Sequence, residues 1–477
     1  IRMSTYNPPT LLQLALDGVL RKDSIDFSDL EYLPITLFPP LFIKAFNSRH
    51  TEIVKKMVAT WPFPCLPVGA LLKTAGVEML QAVLDGIDIL LTQNVSLRCK
   101  LQVLDLRFLH QDFWTGKQNA ICPADILIKK QVPEGLPNYP LRQCLQVVTN
   151  LALVSSLNEH QICLLQWAQQ KKDSLQLCCL KMTIYNLPPE VISEVLDTFQ
   201  PTYIVDLEIH TREVMSFLGF FAHFLGQMRN LVKFYLNQID FYFSVANTVT
   251  DGKIGAAKFF SQFSQLNHLQ HVYMNGAYIS YDNMKKLFRC LKSPLETLFF
   301  TFCHLSMSDL RHMSDCQRLY QLKHLYLKGV VFSKSYFKSL RVLLENVSAT
   351  LQTLGLEHCR MKDSHLKVLL PALIQCSQLI FVNFFDNHFS SPVLKDLLRC
   401  MANLSKLTGE RYPVPVECYN DIGKVMVERF FQLCPELMDL LTAKRQPKKI
   451  FFATVCCPNC LRRCVYDLNT TRLCHCW

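Results

Sequence analysis

The densest set of groups able to do chemistry lies in the last 22 residues, CCPNCLRRCVYDLNTTRLCHCW, from Cys456 to Trp477. Cys457 and Cys460 form a C-P-x-C turn whose two thiolates can grip one metal ion, and Cys474 and Cys476 follow after thirteen residues as C-x-C. Four thiolates suit a tetrahedral structural zinc. The alternative is a frayed terminus of reduced cysteines, and the nearby Cys456, Cys464 and His475 leave the ligand set open. One such site does not make a complete RING, which needs two. Elsewhere the sequence has no H-E-x-x-H, no G-x-S-x-G and no phosphate-cradling glycine loop, and 15 glycines in 477 residues leave few tight catalytic turns. No cysteine sits in a histidine and small-residue pattern that would mark a nucleophile. The expectation is a protein without catalytic residues.

The elements that must carry this tail belong to a chain with 50% hydrophobic and 19% charged residues, enough apolar content for a large core. Its most apolar window, VEMLQAVLDGIDILL, is broken by Glu78, Asp85 and Asp88, so no membrane span is expected. The N-terminal apolar stretch is interrupted by Gln13 and Asp17 and lacks a basic lead and a cleavage site, so a signal peptide is not expected and Met3 is expected to mark the natural start. The 21 scattered cysteines then read as thiols of a cytoplasmic and nuclear protein. A net charge of +11 is moderate for this length and does not call for nucleic acid. Its one concentrated patch, KRQPKK from Lys444 to Lys449, is either a solvated linker or a short import signal.

Periodicity organises most of the chain. Segments of the form L-x-x-L-x-L start at Leu175, Ile204, Leu231, Leu269, Leu295, Leu322, Leu351, Leu379 and, decayed, Leu404, with spacings of 29, 27, 38, 26, 27, 29, 28 and 25 residues. An isolated LQVLDL precedes them at Leu101. Seven of eight spacings between 25 and 29 are not produced by 3.6-residue helical periodicity. They define leucine-rich repeats, each a short strand plus a helix that covers its apolar edge by stacking on the next. The expected fold is α/β, a curved horseshoe solenoid with a helical N-terminal cap and a short cysteine-rich C-terminal tail. The expected segments are residues 1–99 (cap), 100–173 (first repeat and variable segment), 174–445 (repeats) and 446–477 (basic linker and tail).

Motif positions 4 and 6 face the interior, and three residues after position 6 a small polar or thiol side chain should satisfy buried amides; Cys303, Cys359 and Asn387 stand there. Position 5 faces the open concave side and carries Tyr235, Tyr273, Phe299 and Tyr326 on four consecutive strands, with Asn237, Asn275, Thr301 and Lys328 among the seventh positions. Such a row suits a protein-binding surface, or rings that stack to cover the sheet. Three L-x-x-L-L segments, at Leu366, Leu394 and Leu437, match a receptor-binding motif, but their leucines fall where repeat helices need core residues.

The N-terminus holds two apolar pieces outside the repeats. Residues 10–20, TLLQLALDGVL, carry Leu11, Leu14, Ala15 and Val19 at helical spacing behind Thr10 as N-cap. Residues 33–41, LPITLFPPL, space Leu33, Leu37 and Leu41 four apart around three prolines. With VATWPFPCLPVGALLK, AVLDGIDILL, KLQVLDLRFLHQDFW, YPVPVECYNDIG and the cysteine tail, the chain resembles the PRAME family, named for the preferentially expressed antigen of melanoma, over essentially its whole length, least between Gly116 and Lys172.

That resemblance implies a substrate receptor of a cullin-2 ubiquitin ligase, with roles in proliferation, differentiation, apoptosis and transcription. Thr10, Leu11, Ala15 and Val19 fill the family's elongin-binding pattern, for elongin C with elongin B, although Ala15 stands where cysteine is more usual. Leu33, Pro34, Leu37 and Leu41 fill its cullin-binding pattern, and a protein substrate would lie on the repeats. The rival expectation is a nuclear corepressor scaffold that uses the horseshoe and the L-x-x-L-L segments without ubiquitin. Alternatively, both N-terminal pieces form only the hydrophobic cap that a repeat array needs at its end.

Overall fold

The computed structural model describes residues 9–21, 26–92, 99–109, 114, 145–155, 157–212, 214–239, 249–276, 283–330, 336–446, 448–468, 470–474 and 476. Met3, His475 and residues 115–144 of the variable segment lie outside the described residues. The chain divides into two compact units, one of residues 1–183 with 190–204 and one of residues 184–189 with 205–477.

The first unit opens with helices α1 (Leu11–Leu20), α2 (Phe27–Glu31), α3 (Phe38–Asn47) and α4 (Thr51–Ala59). Thr10 closes a capping box on α1: its Oγ1 accepts from Gln13 N at 3.2 Å while Gln13 Oε1 accepts from Thr10 N at 2.8 Å. Pro39 and Pro40 lie in the first turn of α3, where no backbone donor is lost. They deliver Phe38 and Phe42, both 0% exposed, onto Trp61, which contacts them edge-on at 6.2 and 5.2 Å, and Trp114 stacks on Phe42 at 5.5 Å. The apolar run around the prolines is therefore first of all an aromatic core.

The unit continues through β1 (Cys65–Pro67), α5 (Gly69–Leu72), α6 (Val77–Thr92), β2 (Val103–Asp105), β3 (Gln146–Leu153), α7 (Glu159–Lys171), β4 (Gln176–Tyr185) and α8 (Pro189–Thr198). Here the structure departs from the expected cap. β1 pairs in parallel with β2, and β2 with β3, so repeat-like strands begin inside residues 1–99 and the motif at Leu101 is not isolated. The leucine pattern misses β1 because Cys65 and Pro67 flank the buried Leu66. Cys65 is disulfide-bonded, which corrects the reading of all cysteines as thiols; the other described cysteines are free.

The second unit alternates strands β5 (Asp206–Thr211), β6 (Lys233–Gln238), β7 (His271–Asn275), β8 (Thr297–Thr301), β9 (His324–Lys328), β10 (Thr353–Gly355), β11 (Phe381–Asn383), β12 (Gly409–Pro413) and β13 (Lys449–Ala453) with helices α9 (Val214–Leu225), α10 (Val249–Ser261), α11 (Met284–Cys290), α12 (Met307–Asp315), α13 (Tyr336–Asn346), α14 (Asp363–Leu373), α15 (Ser391–Met401) and α16 (Val427–Thr442). The strands β5 to β13 pair in sequence order and in parallel, forming an open leucine-rich repeat sheet. Positions 4 and 6 are interior throughout: Phe234, Leu236, Leu298, Phe300, Leu325 and Leu327 are all 0% exposed.

After position 6 the backbone goes left-handed at Phe302, Gly329, His358 and Asp386, and the next residue turns inward. Cys359 Sγ donates to Leu327 O at 2.8 Å, and Asn387 Nδ2 donates to Leu356 O at 2.7 Å and Phe384 O at 2.9 Å. Burial pushes the Cys303 and Cys359 thiols up to about 12, so they stay protonated and donate, as expected of repeat-core residues.

Two corrections fall at the end of the array. Gly409 pairs with Phe381, so the last motif starts at Leu407 and not at Leu404. Its inward positions 4 and 6 are Glu410 and Tyr412, both 0% exposed. Tyr412 donates to Glu410 Oε2 at 2.7 Å, and Arg445, from the basic patch, donates to Glu410 Oε1 at 2.5 Å and to Leu407 O at 3.0 Å. KRQPKK is thus no free linker: Arg445 neutralises a buried carboxylate, and Lys449 begins β13. Antiparallel strands β14 (Val465–Asp467) and β15 (Thr471–Arg472) then follow β13, so the tail contributes strands to the sheet.

Burial raises the Glu410 carboxyl above its ordinary value against the downward pull of Arg445 and Tyr412. A raised carboxyl contributes stability that is present below the ordinary glutamate range and lost as pH rises through the folded-state value. Arg445→Met removes the principal downward pull. It is expected to cost about 3 kcal/mol at pH 8 by denaturant unfolding and to recover part of that toward pH 5, where Glu410 takes up its proton. An equal loss at both pH values would show that Glu410 is not the group left unpaired.

Candidate functional site

Helix α1 divides sharply in burial. Leu16 is 7% exposed and faces the unit's interior, and Lys44 of α3 ties the helix down through Asp17 at 2.5 Å and Gln13 O at 3.2 Å. Leu11 is 86% exposed, Leu12 45% and Leu14 52%; Ala15 is exposed and Val19 half-buried. Thr10, Leu11, Ala15 and Val19 therefore line a stripe with an apolar knob at its N-terminal end that the described chain does not cover. The second N-terminal motif is placed less openly. Pro34 is exposed and Leu33 and Leu37 are half-buried, but Leu41, 1% exposed, is committed to the core.

In the second unit the strand register brings position 5 side chains together. Tyr235 pairs with Tyr273, Tyr273 with Phe299 and Phe299 with Tyr326. Their ring centroids lie 6.1, 4.9 and 4.1 Å apart, and the last pair is stacked. The four rings are half-buried, largely by one another, which raises the three tyrosine hydroxyls above their ordinary value through desolvation. The row also runs further than the leucine motif revealed: Tyr185 and His210 extend it at 5.3 and 5.4 Å. Beside it the seventh positions form a polar ladder, with Asn275 Nδ2 donating to Asn237 Oδ1 at 2.7 Å and Asn237 Nδ2 meeting His210 Nδ1 at 3.0 Å. The row stops at Gly355, where a Cβ would lie 2.1 Å from Tyr326 Cδ1; glycine lets that ring lie flat on the next strand.

The cysteine tail is brought together as its spacing suggested. The sulfurs of Cys457, Cys460, Cys474 and Cys476 all lie within 4.8 Å of one another. A tetrahedral ion with metal–sulfur bonds of about 2.3 Å needs sulfurs about 3.8 Å apart, so the set fits one metal ion. Cys460 and Cys474 approach to 3.1 Å; this hydrogen bond holds the Cys460 thiol down to about 7, while burial first of all raises Cys474 to about 12. Cys464 stands behind the cluster and accepts from Cys474 N at 3.2 Å, and Cys456 is not part of it. Between these cysteines Arg463 makes a bidentate pair with Asp386, at 2.5 and 2.6 Å, and donates to Thr454 O at 2.7 Å. That pair fastens the tail to the turn after β11.

The L-x-x-L-L segments do not form a surface. Leu366, Leu369, Leu394, Leu397, Leu398, Leu437 and Leu441 are each 0% exposed and fill the repeat interior, and Leu370 and Leu440 are half-buried.

Strand order, interior leucines and the inward Cys303, Cys359 and Asn387 after their strands define a leucine-rich repeat protein. Within that class the chain belongs to the PRAME family: the PRAME N-terminal domain matches residues 8–114 and the PRAME C-terminal domain residues 145–476. It is 41% identical to human PRAME family member 12 over 99% of this chain and 98% of that protein. It is 38% identical to mouse Oogenesin-3 over 98% of this chain and 95% of that one. Among solved structures, the Rad7 and Elc1 complex of yeast aligns over 89% of this chain and 100% of the matched chain at a TM-score of 0.41 and 13% identity, too slight a likeness to carry anything about partners.

Metal analysis of the purified full chain is expected to find about one equivalent of a thiophilic divalent ion, and Cys457→Ser combined with Cys460→Ser to remove it. A wild type that is folded and free of metal would overturn the site.

Proposed function

We propose that this protein is a non-catalytic substrate-recognition receptor of a cullin-2 ubiquitin ligase, present in cytoplasm and nucleus. In this reading α1 docks on elongin C, itself bound to elongin B, the segment from Leu33 to Leu37 meets cullin-2, and the aromatic row of the repeat sheet holds the protein to be ubiquitinated. The observation that carries it is Leu11, 86% exposed on a well-capped helix that is nonetheless pinned by Leu16 and Lys44. An apolar knob held rigidly in water gains about 1.5–3 kcal/mol when a partner's pocket takes it up. Family membership supplies the prior for elongin and cullin-2. Leu41, being core, would support the cullin-facing segment from beneath and not touch the partner. The cysteine cluster would hold structural zinc, whose role is to fasten the tail through its four thiolates.

Leu11→Ser is expected to weaken co-purification with elongin C by tenfold or more without changing the unfolding temperature, since Leu11 has almost no intramolecular burial to lose. Loss of soluble protein would instead make α1 a cap and nothing more. Tyr273→Ala with Phe299→Ala is expected to abolish capture of ubiquitination substrates, at about 2 kcal/mol or more for each anchoring ring, and to leave elongin C and cullin-2 bound. Unchanged substrate capture in that double variant would reduce the row to packing.

A further inference from the structure

Past Gly355 the same face of the repeat sheet changes character. Phe381 at position 3 and Phe385 at position 7 of the β11 repeat flank Arg411, position 5 of β12, whose guanidinium carbon lies 5.4 Å from one ring centroid and 6.0 Å from the other. The Arg463 guanidinium also approaches the Phe385 ring, at 5.4 Å. Gly409 makes room for this arrangement, because a Cβ there would lie 2.7 Å from the Phe381 ring.

Several of the charges around this group are already matched. Arg463 is taken by Asp386. Lys328 pairs with Glu357 at 3.1 Å, and the other Glu357 oxygen accepts from Asn383 at 2.8 Å. Glu410 points inward to Arg445. Arg411 is exposed and has no carboxylate partner among the described residues. Exposed Lys449 adds a second cation on the neighbouring strand β13, and half-buried Phe451 pairs with Arg411.

Contacts between rings and a guanidinium use its flat face and leave its N–H edges free, and those edges match a carboxylate in bidentate fashion. Tyr326 and Arg411 both stand at position 5 of their repeats, in one register line through Gly355 and Asn383, so the cation and the aromatic row lie on the same face of the sheet. We propose that this surface recognises an acidic peptide segment, with a glutamate or aspartate side chain on Arg411 and an aromatic or apolar side chain on the row that ends at Tyr326. Arg411 lies three strands beyond Tyr326 and four beyond Phe299, about 14 and 19 Å at a strand spacing near 4.8 Å. An extended peptide rising about 3.4 Å per residue spans that in about four to six residues, which sets the spacing between the two anchors. The inference rests on the aromatic row being the partner surface.

The test uses the full chain and an array of twelve-residue peptides on a Gly/Ser background, each with one tyrosine and one glutamate one to eight positions apart in both orders, with parallel series carrying glutamine or lysine for glutamate. Binding is expected to be strongest at separations of four to six and about tenfold weaker in the glutamine series. Arg411→Gln should remove the glutamate preference, and Arg411→Glu should turn it into a lysine preference. Equal binding of the glutamate and glutamine series, a glutamate preference unchanged by Arg411→Glu, or no binding to any series would overturn the proposal. Co-purification of the same variants with elongin C is read alongside. Glutamate selection without elongin C would sink the ligase reading and leave this surface standing, whereas elongin C binding without glutamate selection would do the reverse.

Discussion

A parallel strand of three to six residues cannot satisfy its own backbone, and in this protein each one is completed by the strand of the following repeat. That requirement fixes the register, and the register fixes everything placed on the sheet. Because Lys233 pairs with His271, His271 with Thr297 and Thr297 with His324, Tyr235, Tyr273, Phe299 and Tyr326 must lie side by side, and the seventh positions must form their own polar line. The turn that follows is held by the same logic: a left-handed residue, then Cys303, Cys359 or Asn387 turned inward to the carbonyls of the preceding repeat.

At β12 the repeat interior departs from hydrocarbon, and this coincides with a change in the chain's course. Where leucines would continue, Glu410 and Tyr412 face inward, and the compensating cation comes from Arg445 after helix α16. A buried ion pair of this kind contributes little over well-packed hydrocarbon, but leaving either partner alone is costly, so it selects one arrangement of α16 and β13 over others. The Arg463–Asp386 pair does the same for the cysteine-bearing tail, with the thiol cluster as the second fastening. Charge here acts as a specification of position more than as a source of stability.

Burial distinguishes the two candidate partner surfaces. The aromatic row is half-buried by its own stacking, so its rings are already partly dehydrated and rigid, which lowers the ordering entropy that a partner must overcome. Leu11 is the opposite case, an exposed apolar side chain on a helix fixed from its other face. One surface is pre-stacked and the other is a free knob, and the two sit in different units of the chain.

The sequence by itself determined the repeat architecture, because a 25-to-29-residue period of leucines can bury its apolar edge only by stacking, and it determined the aromatic row, because position 5 of a strand has one direction to point. The capping of α1 and the grouping of the four tail cysteines were also legible, both being set by spacings of a few residues. Tertiary structure decided what depends on distant partners. β1 carried no leucine signature and is defined only by pairing with β2. The last motif begins at Leu407 because its inward residues are a glutamate and a tyrosine, which no apolar pattern marks. Leu41 went to the core because the aromatic cluster of Phe38, Phe42 and Trp61 fixes the face of α3 that turns inward. The basic patch was divided by a carboxylate 35 residues away, at Glu410. Arg411, one basic residue among 50 in the sequence, stands out only once the carboxylates of Glu357, Asp386 and Glu410 are seen to be taken by other cations.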